Sequence, residues 1–258
     1  MRPQGTTRWG RWVYPAALLA VLVGVWQAAA SSGAMADVLG VESFLVPSPA
    51  EIASALWENR SLLAENAWVT IREIVLGIAI AAVIGVAFAV LMHRWVVVRD
   101  AAYPLMVASQ TVPIVVIAPI LAIWFGYGIG PKLAIVALIC FFPITLSALA
   151  GLGAADPRMG KLMRTLDASR QQIFRRVEVP GALPQTFTGL KIAVVIAPVA
   201  AVFGEWVGSS SGLGHLILTD GANLEVARQF AAVAVLSAIA LGLLGLTALL
   251  ERRLVSWR

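Results

Sequence analysis

The residues that could carry chemistry in this chain are few and lie apart. His93 and His215 are its two histidines and Cys140 its one cysteine. A metal would lack grouped donors, and a nucleophile would lack a neighbouring base. Two glycine-rich runs, Gly126-Tyr-Gly-Ile-Gly-Pro-Lys and Gly208-Ser-Ser-Ser-Gly-Leu-Gly, lack the Lys-Ser/Thr pair that completes a phosphate-cradling loop. Lys191 and Glu205 would stand about 20 Å apart along a helix of 1.5 Å rise, too far to act together at one depth. Cys140 reads as packing rather than chemistry. No set of paired acids, clustered histidines or activated nucleophile emerges, so the expectation is a chain that catalyses nothing itself and binds neither metal nor nucleotide.

The elements that must position these residues are set by composition. Apolar residues make up 60% of the 258 residues and charged residues 13%, and the mean hydropathy is +0.87. Ordinary soluble domains are about half apolar and a quarter charged, so lipid is this chain's main solvent. Helices are the expected spanning form, because an open sheet would leave amides unpaired in hydrocarbon. The apolar runs predict an all-α membrane protein, a single domain over residues 1–258. Its six spans lie at about Val13–Ala30, Trp68–Met92, Tyr103–Phe125, Pro131–Gly151, Thr186–Val207 and Phe230–Leu250. The first run follows Arg2, Arg8 and Arg11 and ends in small residues, as a secretory leader does; its length and the spans that follow favour a retained helix.

Charge sets the orientation. Placing both termini and the second and fourth loops in the cytoplasm puts Arg2, Arg8, Arg11, Arg94, Arg99, Arg158, Lys161, Arg164, Arg170, Arg175, Arg176, Lys191, Arg252, Arg253 and Arg258 there, 15 of the 19 cations. Only Arg60, Arg72, Lys132 and Arg228 remain outside. The net charge of +5 reflects this bias and gives no reason to expect nucleic acid as a partner.

Between the first two spans, Ser48, Pro49 and Glu51 form an N-cap, N1 and N3 set that opens a short helix to about Asn59. Pro113 and Pro119 in the third span and Pro198 in the fifth invite kinks. Gly77, Ala81 and Gly85 put small residues on one face of the second span for close helix contact. The cytoplasmic stretch of about residues 153–185 is organised. Asp156 and Pro157 open a helix to Leu166 whose Met159, Leu162, Met163 and Leu166 form one apolar stripe, with Arg158, Lys161 and Arg164 on other faces. After Asp167, Ser169 and Gln172 make a capping box for a second helix carrying Ile173, Phe174 and Val177, which Pro180 and Pro184 are expected to stop.

Here the residues resemble the permease subunits of bacterial ABC importers. That family's signature runs Glu-Ala-Ala, three residues, Gly, nine residues, Ile, one residue, Leu-Pro. Its spacing falls on Lys161-Leu-Met, Asp167, Val177 and Val179-Pro180 without a gap, with Lys161 in place of the acid and Asp167 in place of the glycine. Pro47-Ser-Pro, Trp124-Phe-Gly-Tyr-Gly, Phe141-Phe-Pro-Ile, Gly204-Glu-Trp-Val-Gly and Ser211-Gly-Leu-Gly-His-Leu-Ile extend the likeness to the branch importing sulfonates, taurine, nitrate and thiamine-precursor pyrimidines. The last stretch is most like the pyrimidine-precursor permeases, with riboflavin importers close behind.

The resemblance implies a bacterial inner-membrane permease working as two copies, with two ATP-binding subunits beneath and an extracytoplasmic binding protein above. ATP and Mg would be bound by those ATPases, and membrane lipid would surround the permease. It implies a coupling loop between the fourth and fifth spans in which Arg158, Met159, Leu162, Met163, Arg164, Leu166, Asp167, Ala168, Ser169, Arg170, Phe174, Arg175 and Pro180 meet the ATPase. Candidate residues for the solute path are Ser109, Gln110, Thr111 and Pro113 on the third span and Glu205 and Trp206 on the fifth. An ion-driven secondary transporter is the competing class. The topology predicts that reporters fused within residues 42–65 are active only outside the cytoplasm; cytoplasmic activity there would invert every loop assignment above.

Overall fold

The structure, a computed structural model, describes residues 10–255. Of the cations assigned to the cytoplasmic side, Arg2, Arg8 and Arg258 lie outside the described residues, as does the side chain of Arg11. Every regular element among the described residues is helical. Among the described residues five helices are long and apolar enough to span a membrane, or six if a pair bent at a short break counts as one span. The contacts divide the chain into two units, residues 1–64 with 216–234 and residues 65–215 with 235–258.

In the first unit, α1 (Gly10–Ser31) is exposed over most of its surface, as suits an apolar helix bordered by lipid. A short helix α2 (Ala34–Leu39) and a 3-10 turn (Ser43–Leu45) lead to α3 (Pro49–Glu58). The expected capping box is present: Ser48 Oγ accepts from Glu51 N–H, and the Glu51 carboxylate accepts from Ser48 N–H at 2.7 Å. Gln27 Oε1 of α1 accepts from Ala50 N–H at 2.9 Å, meeting another free amide at that helix start. Farther along, Arg228 grips Asp220 with two hydrogen bonds of 2.7 and 3.0 Å. That fork closes the turn between α11 (Leu213–Ala222) and α12 (Val226–Leu254).

The second unit is built around two long antiparallel helices, α7 (Ile129–Gly153) and α10 (Val179–Trp206). Their contacts pair Gly151 with Ala182, Ser147 with Gly189, Cys140 with Ala193 and Lys132 with Gly204. The buried core adds Ile74 and Ala81 of α4 (Arg60–Arg94) and Ala118 of α6 (Ile114–Phe125) to Ile135, Val136, Ile144, Ala197 and Ala200. Lipid offers helices no hydrophobic incentive to associate, so close backbone approach must supply the attraction. The expected small face of the second span does this. A methyl on Gly77 would lie 2.5 Å from Val136, and one on Gly85 would lie 2.8 Å from the Thr145 hydroxyl.

Two span predictions need correction. The third span is not one helix. α5 (Val96–Ser109) and α6 meet at a bend of 102°. Pro113, the N-cap of α6, supplies no N–H and forces the preceding residue out of the helical region. The fifth span is longer than expected, because Pro180 and Pro184 do not stop the helix. Residues Phe174–Glu178 form a π turn that runs directly into α10, which carries Pro180 and Pro184 within its first two turns. Lys191, assigned to the cytoplasmic side, is half-buried in an ion pair with Glu251 of α12.

The α7–α10 contact sets a test. A methyl on Gly189 would lie 2.5 Å from the Pro143 carbonyl oxygen and from Ser147, whereas one on Gly181 meets nothing within 4 Å. Gly189→Ala should cost about 1–3 kcal/mol. Gly181→Ala should be neutral or stabilising by up to about 1 kcal/mol. Melting curves in detergent that coincide for the two variants would refute this packing.

Candidate functional site

Three places concentrate the polar and exposed apolar groups of the second unit. The first is the loop after α7. There α8 (Pro157–Thr165) is opened by Asp156, whose side chain accepts from Arg158 N–H at 2.8 Å, and α9 (Arg170–Ile173) by the Ser169–Gln172 capping box. Between them the chain turns on Asp167, which has φ 56°. Leu166 and Ala168 donate back to the Met163 carbonyl at 3.2 and 3.0 Å, closing the helix end. The expected signature glycine thus falls on a left-handed residue. Aspartate is among the few others that tolerate it.

The apolar stripe that starts on α8 is left uncovered by the described residues. Met159, Leu162 and Leu166 are 47%, 54% and 71% exposed. Met163 and Phe174 are half-buried, and Ile173 is buried. Arg158, Arg164, Arg170 and Arg175 are exposed around the stripe, and Pro180 lies at the start of α10. Two ties that the sequence did not suggest hold the π turn. His93 Nε2 lies 3.0 Å from the Glu178 carboxylate, and the Arg94 guanidinium stacks 4.7 Å above the Phe174 ring. Both partners sit at the end of α4, so consecutive residues of one span grip the first and last residues of the turn.

The second place is the break between α5 and α6. Ser109 and Thr111 donate to the Met106 and Ala108 carbonyls at 2.7 and 2.8 Å, tightening the last turn before the break. Ser109, Gln110, Thr111 and Pro113 are exposed there, and a cavity of about 230 Å³ is lined by Ser109, Gln110, Ile114 and Leu138 among others.

The third is the buried end of α10. Glu205 has no exposed surface. Its carboxylate accepts from Thr70 Oγ1 at 2.6 Å, from His215 N–H at 3.2 Å and from Gly214 N–H. Thr70 Oγ1 in turn accepts from Leu213 N–H at 2.9 Å, and Asn66 Oδ1 from Gly212 N–H at 2.7 Å. Four successive amides at the start of α11, donors that no helical bond could satisfy, are met by three side chains. An acidic side chain is a favourable acceptor at a helix N-terminus. Glycine is required because a side chain on Gly212, at φ 113°, would strike the Glu205 carboxylate, and one on Gly214 would come within 2.7 Å of the Val202 backbone. Trp206 Nε1 donates to the Gly214 carbonyl at 3.0 Å. Glu205, expected on a solute path, is therefore spent inside its own chain, and Trp206 braces the same loop.

Beside this clasp, Lys132 donates to Glu73 at 2.8 Å and to Ser209 at 2.7 Å. Lys132 is 8% exposed and Glu73 1%. Glu73 falls inside the predicted second span, where an ionisable residue is costly enough to demand a partner. That cost was the one sequence signal for this pair. Nothing in the sequence joined Asn66 and Thr70 to Glu205.

The turn at Asp167 yields a paired test. Asp167→Gly should leave stability unchanged or raise it by up to about 1 kcal/mol. Asp167→Val, whose branched side chain resists a positive φ, should loosen the α8–α9 loop by about 1–2 kcal/mol. Protease sensitivity confined to this loop reads the difference, and equal cleavage of both variants would contradict the turn.

Comparison with known proteins follows the same geometry. Residues 74–256 match the family described as binding-protein-dependent transport system inner membrane component. The chain is 36% identical over 247 residues to a formylaminopyrimidine transport permease protein of Halalkalibacterium halodurans, covering 95% of each chain. It is 34% identical over 247 residues to a riboflavin transport system permease protein of Chloroflexus aurantiacus, covering 94% of this chain and 89% of that one. In fold it resembles the crystal structure of an amino acid ABC transporter with histidines, with a TM-score of 0.60 at 18% identity, covering 77% of this chain and 96% of the other.

Proposed function

This chain belongs to the binding-protein-dependent transport system inner membrane components, the ABC permease family, and from that premise we propose that it forms half of the path of an ATP-driven importer. In this reading two copies enclose the path, a binding protein delivers the solute from outside, and two ATPase subunits dock on the cytoplasmic face of a bacterial inner membrane. ATP and Mg belong to those ATPases. The observation that carries the reading is the stripe of Met159, Leu162 and Leu166, held out on a helix capped at both ends and left uncovered by the described residues.

A groove on an ATPase accounts for the stripe better than the membrane surface does, because Arg158 and Arg175 are exposed on the same loop and the loop is tied through the π turn to two spans. Burying one apolar side chain is worth about 1.5–3 kcal/mol, and an exposed ion pair under about 1. The apolar residues carry the docking energy, and Arg158 and Arg175 its orientation. Movement of the ATPases would reach α10 through the π turn and α4 through His93 and Arg94.

The path is assigned to the α5–α6 break. Interrupted backbone cannot face lipid, so Ser109, Gln110, Thr111 and Pro113 must face water or a second copy. For the solute, a formylated aminopyrimidine is the first candidate, because the relative named for that transport is similar along nearly the whole of both chains. Riboflavin is the second candidate. An ion-driven mechanism has less support, because Glu73 is bound by Lys132 and Glu205 by Thr70 and the amides that open α11.

Replacing Leu166 or Phe174 by Asp should detach the ATPase or abolish ATP-driven uptake in proteoliposomes while the permease stays inserted; Arg170→Ala should do less. Full ATPase association and normal uptake in the Asp variants would remove the coupling role. Uptake of labelled formylaminopyrimidine against riboflavin, with the matching binding protein, decides the solute.

A further inference from the structure

Two cavities meet at His93 in the second unit. The first, of about 510 Å³, is lined by Arg94, Arg164 and Arg170 with Ile173, Phe174 and Glu178. Three guanidiniums there face one carboxylate, and that carboxylate is already engaged by His93. The chamber suits an anion, and guanidinium forks match the paired oxygens of a phosphate. The second, of about 530 Å³, is lined by Tyr103, Pro104, Leu149 and Gly153 besides Arg99 and Asp100. The last two hydrogen-bond each other at 3.3 Å, so its remaining walls are uncharged. A basic chamber beside an uncharged one, with one histidine in the wall of both, fits a molecule with an anionic head and an apolar body.

Depth points to the same ligand. Arg94 ends the long apolar span α4. Trp95 follows at 55% exposure, and then Val96 and Val97 at 57% and 82%. Exposed tryptophan marks the boundary between hydrocarbon and headgroups, and basic pockets at the cytoplasmic ends of spans are where anionic headgroups are held. An acidic side chain from an ATPase, or a free phosphate, would fill the first chamber and leave the second unused.

We propose that the paired cavities form a site for one anionic phospholipid of the cytoplasmic leaflet. Its phosphate lies among Arg94, Arg164 and Arg170, and its glycerol and first acyl carbons lie against Tyr103, Pro104 and Leu149. The site rests on the membrane embedding and orientation of the chain and not on any transported solute. A lipid held there bridges the end of α4 to α8 and α9.

The test places the full-length chain in phosphatidylcholine nanodiscs containing a minority of phosphatidylglycerol and releases it in a native mass spectrometer. One phosphatidylglycerol per chain should be retained in preference to phosphatidylcholine. Arg94→Gln should lower retention roughly fivefold, and Arg94→Lys much less. Leu149→Trp, which fills the second chamber and leaves the guanidiniums in place, should also lower it, so the outcome does not hang on one variant's folding. Arg60→Gln, in the other unit, should change nothing. Equal retention of phosphatidylcholine, or retention indifferent to both Arg94→Gln and Leu149→Trp, would overturn the site. Displacement by millimolar inorganic phosphate would make it a soluble-anion site. Displacement by the purified ATPase subunit would make it a protein seat. Either would overturn the lipid assignment.

Discussion

Inside a bilayer no water is present to hydrogen-bond a free amide, and each unmet N–H or C=O costs several kcal/mol. An unbroken helix meets that demand by itself, so the informative parts of this chain are its interruptions. At the start of α11 the free amides are answered by Asn66, Thr70 and Glu205. At the α5–α6 break, Ser109 and Thr111 turn their hydroxyls back onto carbonyls of the preceding turn. At the entry to α10 the chain widens into a π turn and carries its prolines inside the helix. Each interruption uses polar side chains that an uninterrupted span would have excluded.

Contact between spans obeys a second constraint that follows from the first. With every backbone group satisfied along the helix, neighbouring spans attract mainly by surface contact, and lipid competes for the same surface. Glycine and alanine at the crossings of α7 with α10 and α4 bring the backbones close enough for that contact to prevail. Buried polar pairs such as Lys132–Glu73 add direction, since each charge is tolerable only where its partner is.

Legibility in the sequence followed range. Local grammar was readable: the caps at Ser48, Asp156 and Ser169 rest on residues two or three positions apart and stand as the residue types predict. The long apolar runs gave helices in the expected places, because hydrophobic length alone decides them. The α5–α6 bend was harder, since a proline in a span yields a kink or a full break according to what can satisfy the freed backbone. The Glu205 clasp was unreadable because its partner Thr70 lies 135 residues away in sequence. Gly-Glu-Trp and Ser-Gly-Leu-Gly-His stood out as motifs, yet nothing in either says that a carboxylate from one caps the helix opened by the other. The Asp167 position was legible in spacing, and its backbone angle explains why a glycine was expected there.

The clasp also bears on motion. Asn66 and Thr70 lie one turn apart on α4, Glu205 lies on α10, and the amides they receive are consecutive in residues 212–215. Sliding either span past the other by a single turn, about 5.4 Å, would break all four of these bonds at once. The outer portions of α4 and α10 are thus geared to move as one rigid body. Any cycle of opening and closing has to find its give elsewhere, at the α5–α6 elbow or the π turn, where the chain departs from the α-helical ladder.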